Sequence, residues 1–263
     1  MRLRNLLLAI LLFTSCQLNE SISIDLPPQS PKFVLEAILK PGMPMELTFI
    51  ESSMMNDTVH SNYVKGANAF FVLDSDTIVL NNQQYTRSED NVTINYTSKK
   101  LLPNREVGSI KLSVRKNTDT LSSETHFIKP ITIKDCRVSG LDVATTINNI
   151  YESNDRLFKI EVYIYLEKKR KAKHYQIYNL SKDSSPELTL NLKLGDVKRD
   201  SLKVVATHIS HEHYEYIYSY TRALDAYYNL FTVPTPIKTN IKGGVGVFSV
   251  VTQDKRGFRS VYP

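Results

Sequence analysis

The chain has 263 residues, of which 41% are hydrophobic, with two cysteines and a formal charge of +6 at pH 7. That apolar content can fill a buried core, and the length suggests two modest domains rather than one. Two cysteines exclude a disulfide-stapled scaffold, and so mild a charge offers nothing to a nucleic-acid partner.

The first residues, MRLRNLLLAILLFTSC, place Arg2 and Arg4 ahead of an unbroken apolar run from Leu6 to Phe13. This is the pattern of a secretory signal peptide over residues 1–15. At about 1.5 Å of rise per residue the run is far shorter than the ~30 Å core of a bilayer. Small residues Thr14 and Ser15 lead directly into Cys16, as in a bacterial lipoprotein whose thiol receives a diacylglycerol. Cys16 is the expected lipid attachment site, and the lipid bilayer the first expected partner. Each buried methylene contributes ~0.8 kcal/mol, so the three acyl chains of a lipoprotein are expected to anchor it durably in a membrane. Lipidation leaves Cys136 unpartnered. Removing Arg2 and Arg4 with the signal leaves 31 basic against 27 acidic residues, about +4. Residues 16–31 are polar and end in Pro27, Pro28 and Pro31, a tether stiffened at its far end. Glu20 and Asp25 are too scattered to decide between the periplasmic face and the cell surface.

From Phe33 the pattern has period two. KFVLEAILK sets Phe33, Leu35, Ala37 and Leu39 on one face before Pro41-Gly42, and MELTFI does the same with Met45, Leu47 and Phe49. Ala67, Ala69, Phe71 and Leu73 alternate up to a turn at 74–76, with TIVL returning. Ile110, Leu112 and Val114 form another strand that turns at Asn117 to Asp119. Short alternating strands at this spacing predict an immunoglobulin-like antiparallel β-sandwich over residues 32–128.

Lys129-Pro130 marks a boundary, beyond which residues 129–263 form a second β-rich domain with one helix. Here LFKIEVYIYLE turns Phe158, Ile160, Val162, Ile164 and Leu166 inward and leaves Tyr163 and Tyr165 among charges. KKRKAK, residues 168–173, reads as a solvated loop to the strand HYQIYNL, with contact to acidic lipid or polysaccharide as its functional alternative. LTLNLKL alternates at Leu188, Leu190, Leu192 and Leu194, and SLKVVATHI follows as a strand. The expected fold is therefore mainly β: two antiparallel β-sandwich-like domains in tandem, with one short helix near 210–228.

The helix begins in HISHEHYEYIYSY, residues 208–220, which holds three of the six histidines. On a strand His211 and His213 would share a face and could share a metal. On a helix two residues of separation sends them roughly 200° apart. Tyr214, Ile217, Tyr218, Thr221, Leu224 and Tyr228 follow helical spacing, and Ser210 suits an N-cap with Glu212 in the first turn. The segment thus reads as a capped helix carrying surface histidines, and no metal ligands are assigned.

KGGVGVF, residues 242–248, does not fit a phosphate-binding loop: Gly243, Gly244 and Gly246 miss the spacing and the flanks are β. Glycines in such a strand mark a bulge or a close backbone approach. The chain holds no G-x-S-x-G, and Cys136 has no histidine beside it in sequence. No catalytic or cofactor-binding residue is assigned, no cofactor is expected, and the expectation is of a non-enzyme.

The stretch VVATHISHEHYEYIYSYTRALDAYYNLFTVPTPIKTNIKGGVGVFSVV resembles the closing signature of a Bacteroidota outer-membrane lipoprotein family of unknown function. The residues that carry the likeness are Ser210, Glu212, Tyr214, Tyr216, Phe231, Pro234, Asn240, Ile241, Gly244, Gly246 and Phe248. The cysteine box, the PP-containing tether and the KFVLEAIL and VKGANAFFVL strands are similar to its N-terminal half. The resemblance implies an accessory of a TonB-dependent outer-membrane β-barrel that captures or hands over a nutrient, with no metal at His211 and His213. A structural or adhesive surface β-protein is the alternative, and a hydrolase with a non-local site a third.

Overall fold

The computed structural model describes residues 31–52, 62–105, 108–148, 156–180, 185, 187–194, 198–229, 232–233 and 235–259. The expected signal peptide, Cys16 and the expected tether up to residue 30 lie outside the described residues, as do Phe231 and Pro234. The fold is mainly β, built as two sandwiches.

One sheet of the first sandwich contains β1 (Phe33–Leu39), β2 (Pro44–Glu51), β3 (Asn62–Tyr63), β6 (Asn81–Arg87), β7 (Val92–Leu101) and β16 (Val245–Val250), ordered β16-β1-β2-β7-β6 with β3 on β2. The facing sheet is β5-β4-β8-β9, from β4 (Asn68–Leu73), β5 (Asp76–Val79), β8 (Ser109–Lys116) and β9 (Asp119–His126). The period-two faces read from the sequence meet between them, so that Leu35, Leu47, Phe49, Phe71, Ile110 and Leu112 share one core. Hairpin turns fall at Asp74 and Asn117, both with positive φ, a conformation that short polar side chains tolerate.

The second sandwich packs β10-β11-β14 on β13-β12-β15-β17. The strands are β10 (Thr132–Ser139), β11 (Asp142–Asn148), β14 (Leu188–Lys193), β12 (Leu157–Leu166), β13 (Lys169–Asn179), β15 (Ser201–His208) and β17 (Thr252–Arg259). Leu188, Leu190 and Leu192 interlock with Phe158, Ile160, Val162 and Ile164 as their alternation required. The basic run departs from expectation. Only Glu167 and Lys168 form the turn, both at positive φ, and Lys169 onward is strand. A bulge at Ile164/Tyr165 shifts the register so that Ala172 lies against the core while the lysines and arginine line the outer surface. Long apolar stems let such cations cover a sheet, which hides the strand pattern behind their charge.

The boundary at residue 129 is crossed, and one pairing is parallel. Strand β16 leaves the C-terminal half, pairs in parallel with β1 from Val34↔Val245 to Leu39↔Val250, and completes the first sandwich. Phe248 stacks on Phe71 with centroids 5.6 Å apart. The glycines permit the close approach expected of them: a Cβ on Gly246, at φ +127°, would fall 1.9 Å from the Leu35 carbonyl oxygen. Asn240 locks the far side, donating Nδ2 to Phe248 O (2.7 Å) and accepting from Phe248 N (2.9 Å). The chain then steps through Val251, whose N–H meets Leu39 O at 2.9 Å, into β17 of the second sandwich. One continuous segment therefore couples both sandwiches.

Helix α1 (His211–Tyr228) sits at this joint. Ser210 is its N-cap, with Oγ accepting from His213 N at 3.3 Å. Tyr214 and Ile217 pack on Leu157, Ile209 and Val251. The buried face is not the expected stripe: His213, Tyr216 and Ser219 are buried, whereas Tyr218, Leu224 and Tyr228 are exposed. Docking contacts decide this. Tyr216 donates its hydroxyl to Glu36 on β1, and Ser219 Oγ accepts from Lys238 N at 2.8 Å.

Candidate functional site

The outer faces of the two sandwiches enclose a cleft of about 580 Å³. Its lining residues alternate with the core pattern: Glu36 and Ile38 on β1 and Lys40 just after it on one wall, Lys159, Glu161, Tyr163 and Tyr165 on β12 on the other. A strand that buries alternate residues must present the rest on the opposite face.

Strand register orders the second wall in rows. Tyr163 lies opposite Lys173 on β13 and Lys203 on β15. Their ammonium nitrogens stand 5.3 and 6.0 Å from its ring centroid, and the Arg170 guanidinium 5.9 Å. Cations at this range are drawn to the ring quadrupole. One row further, buried Glu161 pairs with Lys159 at 3.0 Å and Lys173 at 2.7 Å. Burial alone would raise its pKa, yet the two ammoniums hold the carboxyl below its ordinary value. The carboxylate in turn raises the Lys173 pKa against the opposing effect of burial. Burial raises that of the Tyr163 phenol. The last row joins Gln253 Nε2 to Thr207 Oγ1 at 3.0 Å.

His213, in the first turn of α1, also lines the cleft. It is only 6% exposed, and its Nδ1 has no hydrogen-bond partner. Burial, assisted by Lys159 and opposed by Glu161, drives its pKa down to about 3, so the imidazole is neutral. His213 is therefore not the surface histidine expected from sequence, whereas His211 is exposed. The helix does splay the two apart. His208 ends β15, stacked on Phe158 at 5.3 Å with Nδ1 at 2.9 Å from Lys129 O. Among the described residues no group of three or more His, Cys, Asp or Glu side chains is placed to hold a metal.

The first wall is knitted by Arg87, which binds Glu46 Oε2 at 2.8 Å and Asp90 at 3.0 and 2.7 Å. Tyr85 adds its hydroxyl to Glu46. The turn after β6 then spans the cleft, since Arg170 donates to Glu89 O at 3.0 Å and Lys255 approaches Glu89 Oε2 at 3.9 Å. Lys40 projects beside Arg87, and burial followed by that guanidinium lowers its pKa. In total seven lysines and arginines line the cleft against five carboxylates.

Cys136 is buried, 3.8 Å from Thr145 Oγ1, and burial raises its thiol pKa. Sequence reasoning identified Tyr163 and Tyr165 as half-solvated but not the cleft. The available signal was a strand face mixing rings with paired charges, which resembles any solvated face until a second wall covers it.

The chain matches no family model and no curated protein. Among solved structures it is similar to the titin domains Z1Z2 in complex with telethonin, at 11% identity, covering 69% of this chain and 90% of that chain with a TM-score of 0.21. A likeness at that score carries no argument.

Proposed function

We propose that this chain is an outer-membrane lipoprotein, anchored through acylated Cys16, that acts as a non-catalytic ligand-capture partner of a TonB-dependent transporter in nutrient uptake. The cleft between the sandwiches carries this reading. Its volume of about 580 Å³ falls in the range of small-molecule sites, and most of its lining residues stand on strands. Its chemistry favours holding over turnover. Glu161 is locked as an ionised carboxylate between two lysines, which makes it a poor proton acceptor, and Cys136 is buried outside the cleft lining. The cysteine box and the family resemblance support the anchor and the transporter partner.

The test is affinity capture of the full-length tagged protein from outer membranes in mild detergent. Stoichiometric recovery of a β-barrel transporter is the expected result, and recovery of the chain alone overturns the partnership. Cys16→Ala is expected to leave the signal uncleaved and the acyl anchor unmade; protein still cleaved and acylated would refute the anchor. The exposed Tyr218, Tyr220, Tyr227 and Tyr228 favour an adhesive surface role as the second reading, supported if the chain is recovered alone and its deletion abolishes adhesion.

A further inference from the structure

Which ligand the cleft takes is constrained by how its charges are used. Four of the five carboxylates already have a donor, and the fifth, Glu89, has a lysine 3.9 Å away. Glu46 and Asp90 share Arg87, Glu161 holds Lys159 and Lys173, Glu89 faces Lys255, and Glu36 accepts from Tyr216. The cations are not all matched in return. Lys203 stands over Tyr163, and Lys40 lies beside Arg87 with Asp90 and Glu89 near enough to counter part of the fall in its pKa, yet neither lysine comes within 4 Å of a described carboxylate as an ion pair. His213, which also lines the cleft, has a buried Nδ1 without a hydrogen-bond partner and feels the charge of Lys159. A buried polar atom left unpaired costs about 1–3 kcal/mol, so a group that arrives to satisfy it is favoured.

Resting on the reading of the cleft as a ligand site, we propose that its ligand is a small organic oxyanion, a carboxylate or phosphate. Its charged group is held by Lys203 and Lys40, and its body lies along Tyr163 toward His213. A neutral ligand would leave the cleft with its seven lysines and arginines against five carboxylates. A cation would find four of the five carboxylates already holding a donor and the fifth facing Lys255. The tyrosine face supplies an apolar platform for the ligand's carbon skeleton, while the flanking cations orient its negative end. The neutral imidazole fits a hydroxyl or a protonated oxygen better than a second bare charge.

Full-length protein in mild detergent is titrated calorimetrically with citrate, inorganic phosphate and, as a neutral comparison, glucose. Citrate or phosphate is expected to bind saturably at one site, and to weaken several-fold as salt rises from about 50 to about 200 mM. Lys203→Met and Lys40→Met are each expected to weaken binding about ten-fold, the loss of one charge-assisted contact. Lys193→Met, on the exposed face of β14 away from the cleft, is expected to change nothing and controls for net charge. Circular dichroism verifies that the variants fold. Saturable oxyanion binding that ignores both lysine substitutions overturns the proposal, as does the absence of oxyanion binding. If glucose binds while the oxyanions do not, the capture function stands and only the oxyanion assignment falls. If none binds, both fall.

Discussion

Replacing His213 with glutamine is expected to flatten the acid limb of this protein's stability profile. The folded imidazole is neutral because burial, with Lys159 beside it, has pulled its pKa from 6.5 to about 3. The groups that face it are Lys159 and Glu161 on β12, and the carboxylate only partly opposes the shift. In the unfolded chain the same imidazole titrates near its ordinary value. Below pH 6.5 the unfolded state takes up a proton that the folded state refuses, so stability is complete above that pH. It then declines until the folded group also titrates near 3. At about pH 5 the proton favours the unfolded chain roughly 30-fold, about 2 kcal/mol, against negligible loss at about pH 7.5. Domains are stable by only about 5–15 kcal/mol, so the effect is measurable. Urea unfolding followed by far-UV circular dichroism at both pH values, for wild type and His213→Gln, reads it directly. Wild type is expected to lose about 2 kcal/mol more than the variant. Equal losses would refute the reasoning, because the imidazole would then be protonated in the folded state as readily as in the unfolded one.

Gly246→Ala is expected to destabilise the fold by about 3 kcal/mol or more, since the added Cβ overlaps the Leu35 carbonyl at a φ of +127°. Gly257→Ala, where a Cβ meets nothing within 4 Å, should shift the urea midpoint negligibly. Leu190→Ala, at a site 3% exposed, should cost about 2–5 kcal/mol in the same assay. Ser210→Ala removes the acceptor for His213 N and should cost about 1 kcal/mol of thermal stability.

The local features were legible because their causes are local. A period of two puts Leu188, Leu190 and Leu192 on one side of a strand whatever they pack against. A serine ahead of a helical tyrosine pattern caps a helix, and Ser210 does so. Positions such as Gly246 announced a close approach because only glycine tolerates one. The basic segment was misread for a reason equally physical. Its cations lie on the outer surface of a strand, and one small inward residue, Ala172, carries too weak a pattern to reveal it.

By itself, the sequence determined the β character, the strand faces, the start of the helix and the glycine-dependent approach at residue 246. The tertiary structure alone decided which distant segments meet. β16 seals the first sandwich against β1, and Tyr216 reaches Glu36 across 180 residues of chain. That docking turns the helix so that His213 is buried and Tyr218 exposed, although both lie on one regular spiral. It also sets Lys40 and Arg87 opposite Tyr163 and Lys203 as two walls of one cleft. Periodicity specifies a face but not its neighbour. Desolvation and charge pairing, which define the cleft, arise only once two faces are brought together.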